Sequence, residues 1–403
     1  MSEQLTPAVS MPGNFRFGAV PSAKKVLEEA GKAALQAAPG VVRQADAPAP
    51  DLGPLAAFVG DWHGTGLNTI FRPDNPETPT PLPVPVAGSD NVLEINLTTE
   101  TLSFSKSLGS VPNRGSGAQG DIFLNGVPYL QTINDVTLPG QVTGIHFEPG
   151  LWVIVPKTNV PEEGPTLARM ASIPHGTTIN AQGTFFTVQG GPKIDPVDIT
   201  PIAIGTGKLV PFPSQTVTNQ GTPRIPQDLT SFTAAGTITQ AILSDPTTVL
   251  RNHIAGQNIV STDVLVIDTT PKTPLFGGGT DNIAFLLGDA NGTQANANAI
   301  AVEMKAIFWI ETVEHDIHIP VLPPAAYPHV LQPAGVKPGH LAPQFALHPM
   351  AAVQAPITIK FRTKQIQYVQ QVFLNFKGLS WPHVSVATLV PALPIPIPLA
   401  ALS

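Results

Sequence analysis

Histidines on strand-like segments are the residues of this chain best suited to do chemistry. In GIHFEPGLWVIVP (144–156), alternation places His146 and Glu148 on the same side of a strand. If that side faces inward, His146 can act as a base oriented by Glu148, or the pair can line a polar ligand site. If it faces outward, the pair is a solvated surface. The parity of Trp152 and the apolar residues around it favour the inward orientation.

Two further histidines have settings of their own. His175 follows Pro174 in a Pro/Gly turn, where a side chain is either idle and exposed or hangs over the mouth of a binding site. His383 lies on LSWPHVSVATL (379–389), with Ser385 on the same face. A neutral imidazole on such a strand is compatible with iron ligation, and equally with simple packing.

Other motifs are weaker candidates for a site. Arg114 lies in the Gly-rich segment VPNRGSGAQGD (111–121), which lacks the Lys-Ser/Thr ending of a phosphate loop but places an arginine where it could pair with a ligand carboxylate. EHDIH (314–318) has neither the His-Glu-x-x-His pattern nor any cysteine, so we expect a solvated loop there and not a zinc site. A Gly-x-Ser-x-Gly elbow is also missing, which disfavours a hydrolase.

The amino-acid composition excludes several classes of protein and of site. Of 403 residues, 12% are charged and 42% hydrophobic, which excludes a disordered chain. The net charge of −7, without a basic cluster, disfavours nucleic-acid and membrane partners. The absence of cysteine excludes disulfides, thiolate zinc sites and iron–sulfur clusters. The start of the chain does not resemble a signal peptide, so we expect a soluble, cytoplasmic protein.

The pattern of elements predicts an appended N-terminal region and one large β domain. Residues 1–51 comprise a helix over 21–38 and a Pro/Ala linker, and 52–403 form a single β-barrel domain with a large insertion at about 207–356. A short helix beginning at Asp245-Pro246 and ending at Gly256 is expected to plug or flank the sheet. Within LNGV, Asn125-Gly126 predicts a two-residue hairpin turn.

The predicted fold class is all-β, with a large antiparallel barrel preferred over a sandwich. In the strand over 365–376, Gln367 and Gln371 alternate with apolar side chains, and EINLTTET shows a similar alternation through Asn96 and Glu100. One face of the sheet is therefore expected to be apolar and the other amide-rich, and either could line the lumen.

A family resemblance enters through the residues around Trp62. LAAFVGDWHGTGLNTIFRP (55–73), with Gly-x-Trp-x-Gly-x-Gly after an amphipathic turn, resembles the haem-binding nitrobindin family of lipocalin-like barrels. The segment 379–389 is similar to that family's last strand, where a histidine ligates the haem iron, and the matching residue here is His383. GIHFEPGLWVIVP and ARMASIPHGTTI (168–179) follow in the family's order.

The resemblance implies that this protein binds haem b through His383. His146, His175, Arg114 and Trp62 would then be candidate neighbours of the haem, and the activity would concern nitrogen oxides, peroxynitrite or peroxide, as a haem-dependent isomerase or a peroxidase-like enzyme. The alternative is a haem-free lipocalin-like barrel that binds or isomerises a small hydrophobic molecule. The low charge and the apolar tail at 389–402 also suggest a homo-oligomer.

Overall fold

The computed structural model describes residues 51–77, 79–270, 277–282, 298–324, 328–348 and 353–402. They belong to one compact unit that spans Pro48–Ser403. The helix predicted over 21–38 and most of the linker after it lie outside the described residues.

Ten strands form a closed antiparallel β-barrel, which confirms the predicted fold class. They are β1 (Gly60–Pro73), β2 (Asn91–Phe104), β3 (Ile122–Asp135), β4 (Thr143–Val155), β5 (Thr166–Ser172), β6 (Thr178–Gln189), β7 (Asn258–Asp268), β8 (Ile300–Ile319), β9 (Ile357–Phe376) and β10 (Leu379–Pro391). Each strand pairs with the next one along the chain. The barrel closes where β10 pairs with β1, with Gly66 opposite Ala387. Closure leaves no strand edge in the wall unpaired.

Besides these ten strands, the described residues form short helices, 3-10 turns and short strands. The helices are α1 (Thr230–Ala235), α2 (Gln240–Ser244) and α3 (Thr248–Ile254), and 3-10 turns cover Gly53–Phe58, Pro213–Gln215 and Leu399–Leu402. Short strands cover Val111–Asn113, Thr158–Asn159, Glu162–Glu163, Ile202–Ala203, Arg224–Ile225, Gly277–Asp281, His329–Leu331, Phe345–Leu347 and Ile395–Pro396. The range 207–356, expected as an insertion, contains β7 and β8, so part of it is barrel wall.

One end of the barrel is closed by the 3-10 turn that precedes β1. Phe58 of this turn is fully buried and stacks on Phe104, with ring centroids 4.5 Å apart. The indole Nε1 of Trp62 donates a hydrogen bond of 2.7 Å to the carbonyl oxygen of Phe58. Burial of these aromatic rings, together with Trp152 and Phe308, provides an apolar floor to the lumen.

A second apolar cluster lies on the outside of the wall. The segment over 194–254, including α2 and α3, covers the outer faces of β1, β2 and β7 to β10. The short helix around Asp245 therefore flanks the barrel and does not plug it. Arg224 holds the loop before α1, because its buried guanidinium donates to the backbone carbonyls of Ser214, Thr216, Asn219 and Gln227. Burial lowers the pKa of Arg224 to about 10.

The hairpin predicted at Asn125-Gly126 is wrong, because both residues lie inside β3 and pair with β4. Glycine is needed there for close approach of the two backbones. A Cβ added to Gly126 would lie 2.2 Å from the carbonyl oxygen of Trp152. The loop predicted at EHDIH is also wrong, since residues 314–318 continue β8 and pair with β9.

The face of the sheet that lines the lumen is neither uniformly polar nor uniformly apolar. On β9 the apolar face, including Ile366 and Val372, turns inward, whereas β2 turns its polar face inward and buries Glu100 in the lumen. The expectation of one amide-rich and one apolar face therefore does not hold around the whole barrel. The lumen is mixed, with polar groups concentrated on particular strands.

Candidate functional site

A cavity occupies the end of the barrel opposite to Phe58 and Trp62. Its empty volume, counted out to the solvent at the mouth, is about 1020 Å³. Apolar side chains form much of its wall: Ile70, Ile133, Ile173, Ala301, Val372 and Leu374. His146, His175 and His383 line the same cavity, which places three of the predicted site residues together. A concave, mostly apolar pocket with a few convergent polar groups is the usual form of a small-molecule site.

His383 lies deep in the protein at the start of β10, with part of its ring exposed to the cavity. Burial, with smaller contributions from His146 and His175, lowers the pKa of His383 to about 3. The imidazole is therefore neutral across the physiological range. Asn68 of β1 donates a 2.8 Å hydrogen bond from Nδ2 to Nε2 of His383 and a second bond to Ser385 Oγ.

His146 faces the cavity from β4 and is oriented by Glu148 beneath it. The distance from His146 Nε2 to Glu148 Oε2 is 3.1 Å, and the carboxylate is fully buried. The inward orientation predicted from strand parity is the one observed. His175, in the exposed turn between β5 and β6, packs its ring edge-to-face against His146 with centroids 5.2 Å apart. Burial lowers the pKa of His175 as well.

A buried ion pair supports this histidine from below. Arg169 of β5 bonds through Nη2 to Glu148 Oε1, and Tyr129 donates to the same oxygen. Arg169 also donates to the hydroxyl of Tyr129 and to Oε1 of Gln370, at 2.9 and 2.7 Å. Burial disfavours the charged carboxylate, but the Arg169 charge and the His146 bond outweigh it and lower the pKa of Glu148 to about 2.

A second carboxyl group lies beside this network in a different protonation state. Glu100 of β2 accepts hydrogen bonds of 2.7 Å from both Gln131 and Tyr368. Burial outweighs these two hydrogen bonds and raises the pKa of Glu100 to about 7. The cavity is therefore underlain by one permanently ionised carboxylate and one that titrates near neutrality.

Arg114 and Trp62, the other two predicted site residues, do not line the cavity. Arg114 is exposed in the loop before β3, where it pairs with Asp121. Trp62 belongs to the apolar floor at the opposite end of the barrel. The arginine at the cavity mouth is instead Arg72, which bonds to Glu94 at 2.7 Å on the outer rim.

Sequence reasoning missed most of the polar groups beneath the cavity: Asn68, Glu100, Tyr129, Gln131, Arg169, Tyr368 and Gln370. A signal was present for some of them. Arg169 is the charged residue of the seven-residue strand TLARMAS, and Glu100 is the acid of the alternating run after Asn96. A charged residue within a strand whose alternate neighbours are apolar must be exposed or paired, and here both are buried and bonded.

Two properties of the described residues concern a metal site and a membrane-spanning helix. Among them, no group of three or more His, Asp or Glu side chains is arranged to hold a metal ion. In the same part of the chain, no helix is long and apolar enough to cross a membrane.

Comparison with known proteins provides no independent assignment of this cavity. No protein-family model, no curated protein and no solved structure matches the chain.

Proposed function

We propose that the barrel binds haem b in the cavity at its open end, where His383 would hold the iron. The observation that carries this proposal is a half-buried imidazole, with its pKa lowered to about 3, in the wall of a largely apolar cavity. Iron ligation requires the neutral form of histidine, and a low histidine pKa keeps that form available at every physiological pH.

The donor set of the cavity fits this group, with one adjustment. Because Asn68 donates to Nε2 of His383, the neutral ring carries its proton on Nδ1, so Nε2 holds the lone pair that a metal would take. Ligation through Nε2 requires the Asn68 amide to move aside or the ring to turn. Apolar side chains such as Ile133 and Val372 would contact the bound haem, and Arg72 at the mouth, now paired with Glu94, would be the partner for a propionate.

The remaining polar residues of the cavity would control how a ligand reacts there. Bound haem would supply an iron centre able to react with nitrogen oxides, peroxynitrite or peroxide, in an isomerase or peroxidase-like reaction. His146, fixed by Glu148, lines the cavity and would contact a ligand bound there. The apolar wall limits access of water, and His175 narrows the mouth.

Hemin titration followed by absorption spectroscopy tests the proposal. Wild-type protein should develop a sharp Soret band, and His383→Ala should lose it. Asn68→Leu removes the competing N–H while preserving side-chain size, so its band should be retained or form at lower hemin concentration. His63→Ala is the matched control, since His63 also lies in the β1–β10 region but outside the cavity.

A flat spectrum, or a band unchanged in His383→Ala, would overturn haem ligation by this residue. In that event the cavity remains, and the alternative is a haem-free barrel that binds or isomerises a small hydrophobic molecule. Mass spectrometry of whatever co-purifies with wild-type protein, but not with a cavity-filling Val372→Trp variant, would then identify the ligand class.

A further inference from the structure

A layer of polar side chains crosses the lumen beneath the cavity and links strands that are not neighbours in the wall. Gln131 of β3 donates from Nε2 to Glu100 at 2.7 Å and to the Tyr368 hydroxyl of β9 at 3.2 Å. Arg169 of β5 donates from Nη1 to Oε1 of Gln370 on β9, at 2.7 Å. Of these five residues, which we call the polar layer, Gln131, Tyr368 and Gln370 line the cavity.

The charged members of the polar layer fix the orientation of the two glutamine amides. The ionised carboxylate of Glu100 can only accept hydrogen bonds, so it holds the amide nitrogen of Gln131 and leaves Oε1 turned away. The guanidinium of Arg169 can only donate, so it holds Oε1 of Gln370 and leaves Nε2 turned away. The polar layer therefore offers one acceptor and one donor that the charged groups do not use.

Neither of these two amide atoms has a partner in the part of the chain that the structure describes. No described residue donates to Oε1 of Gln131, and Nε2 of Gln370 donates to none of them. The two side chains are only 5% and 8% exposed. Buried polar groups are nearly always paired, and both residues border the cavity, so the missing partners belong in the cavity.

The spacing of the two amides suits a single small ligand. Tyr368 and Gln370 are two positions apart on the same face of β9, which corresponds to a separation of roughly 7 Å along the strand. Gln131 meets this strand at the Tyr368 hydroxyl. One polar group in the cavity can therefore contact both amides.

The charge of the polar layer disfavours an anionic ligand group. Arg169 already donates to Tyr129, Gln370 and Glu148 through its three guanidinium nitrogens. The Arg169 charge also holds the pKa of Glu148 at about 2, so the two charges compensate each other. A ligand carboxylate would meet no uncompensated cation in the layer, and it has no proton to donate to Oε1 of Gln131.

We propose that the polar layer binds the carboxamide group of a small, uncharged molecule. The ligand carbonyl accepts from Nε2 of Gln370, and the ligand N–H donates to Oε1 of Gln131. The apolar part of the molecule lies against side chains such as Ile133 and Val372. This site is at the inner end of the cavity proposed for haem, but it does not require iron.

Calorimetric titration with three molecules of similar shape tests this site: benzamide, acetophenone and benzoate. The full-length protein is used without added hemin at about pH 8, where Glu100 is mostly ionised. Acetophenone keeps the carbonyl but replaces the amide nitrogen by a methyl group, and benzoate carries a charge and no N–H. Benzamide should bind saturably and about tenfold more tightly than either, the effect of one hydrogen bond to a buried acceptor.

Gln370→Met removes the donor from the polar layer and keeps the length of the side chain. We expect benzamide to bind about tenfold more weakly to this variant. Gln371→Met is the matched control, because Gln371 is the next residue of β9 and lies on the outer face of the wall. Its affinity for benzamide should equal that of the wild-type protein.

Side-chain amide spectra of the wild-type protein make the test independent of variant folding. Benzamide should shift the signals of Gln131 and Gln370 and leave those of Gln371 unchanged. No saturable binding of benzamide, equal binding of acetophenone or benzoate, or full affinity in Gln370→Met would each overturn the proposal. Because no hemin is added, the result is independent of the Soret band, and each proposal can fail while the other stands.

Discussion

The pairing of Arg169 with Glu148 shows how individual residues make a polar cavity floor possible inside a barrel. Either charge alone would be strongly disfavoured at full burial. Both groups form a hydrogen bond with the Tyr129 hydroxyl, and Arg169 also donates a hydrogen bond to Gln370. The cost of burial is thus offset locally, and His146 is held in one orientation as a result.

Breaking this ion pair on one side should therefore destabilise the protein more than removing both partners. Glu148→Gln leaves the Arg169 charge buried and uncompensated, and we expect a loss of about 3 to 5 kcal/mol in the free energy of unfolding. The double variant Glu148→Gln/Arg169→Met should recover much of that loss. Urea denaturation of the three proteins measures the effect. Additive losses in the double variant would contradict a compensated pair.

Glu311 should make the free energy of unfolding depend on pH. It is fully buried on the outer face of β8 and accepts a hydrogen bond from Gln365, and burial raises its pKa to about 8. Because the folded state holds this proton more tightly than the unfolded state, stability is greatest below the ordinary carboxyl pKa and falls as pH rises through 8. Full ionisation should cost on the order of 5 kcal/mol.

Glu311→Gln should remove that part of the pH dependence. Comparing urea unfolding at about pH 6 and about pH 9 should show a smaller drop for the variant than for wild-type protein. Glu100, whose pKa is raised to about 7, leaves a residual slope of the same sign. Glu162→Gln, on an exposed two-strand turn, is the control and should follow wild type. An unchanged slope in Glu311→Gln would contradict this assignment.

At the scale of elements, strand parity carried most of what the sequence could predict. Alternation in β4 placed His146, Glu148 and Trp152 on one inward face, and that is their arrangement. Parity within a strand cannot say which strands turn polar faces inward, because that depends on partners across the lumen. Glu100 faces inward on β2 since Tyr368 and Gln131, on other strands, are there to bond to it.

Local turn signals were less reliable than parity, and Asn125-Gly126 shows why. The same dipeptide suits a tight turn and a strand position where two backbones approach closely. The choice is made by Trp152 on β4, whose carbonyl oxygen occupies the space a side chain would need. Such tertiary information is not contained in a window of neighbouring residues.

Gly126→Ala tests that explanation directly. The added methyl group would collide with the Trp152 carbonyl in the middle of a paired strand, and we expect a loss of about 3 kcal/mol in unfolding free energy. Gly164→Ala is the control, because a Cβ at Gly164 meets no atom within 4 Å. Thermal unfolding of both variants against wild type decides the matter, and equal melting temperatures would contradict the close-approach explanation.

At the scale of the whole molecule, the barrel is a simple meander whose two outermost strands meet. The sequence predicts many antiparallel strands and hence a barrel or a sandwich. The preferred prediction, a barrel, is confirmed, but local pattern does not show which strands close it, because pairing of β1 with β10 links segments more than three hundred positions apart, as the contact between Asn68 and Ser385 shows. Nor does local pattern show that β7 and β8, within 207–356, complete the same wall.

The position of His383 on β10, bonded to Asn68 on β1, has a consequence for the order of events during synthesis. The ribosome synthesises β1 long before β10. The edge of β1 that pairs with β10 therefore stays unpaired while the rest of the wall forms. His383 and its partner Asn68 come together only when β10 pairs with β1. If the proposed haem binds through His383, its capture would follow closure of the barrel, and the bound cofactor would then link β10 to β1.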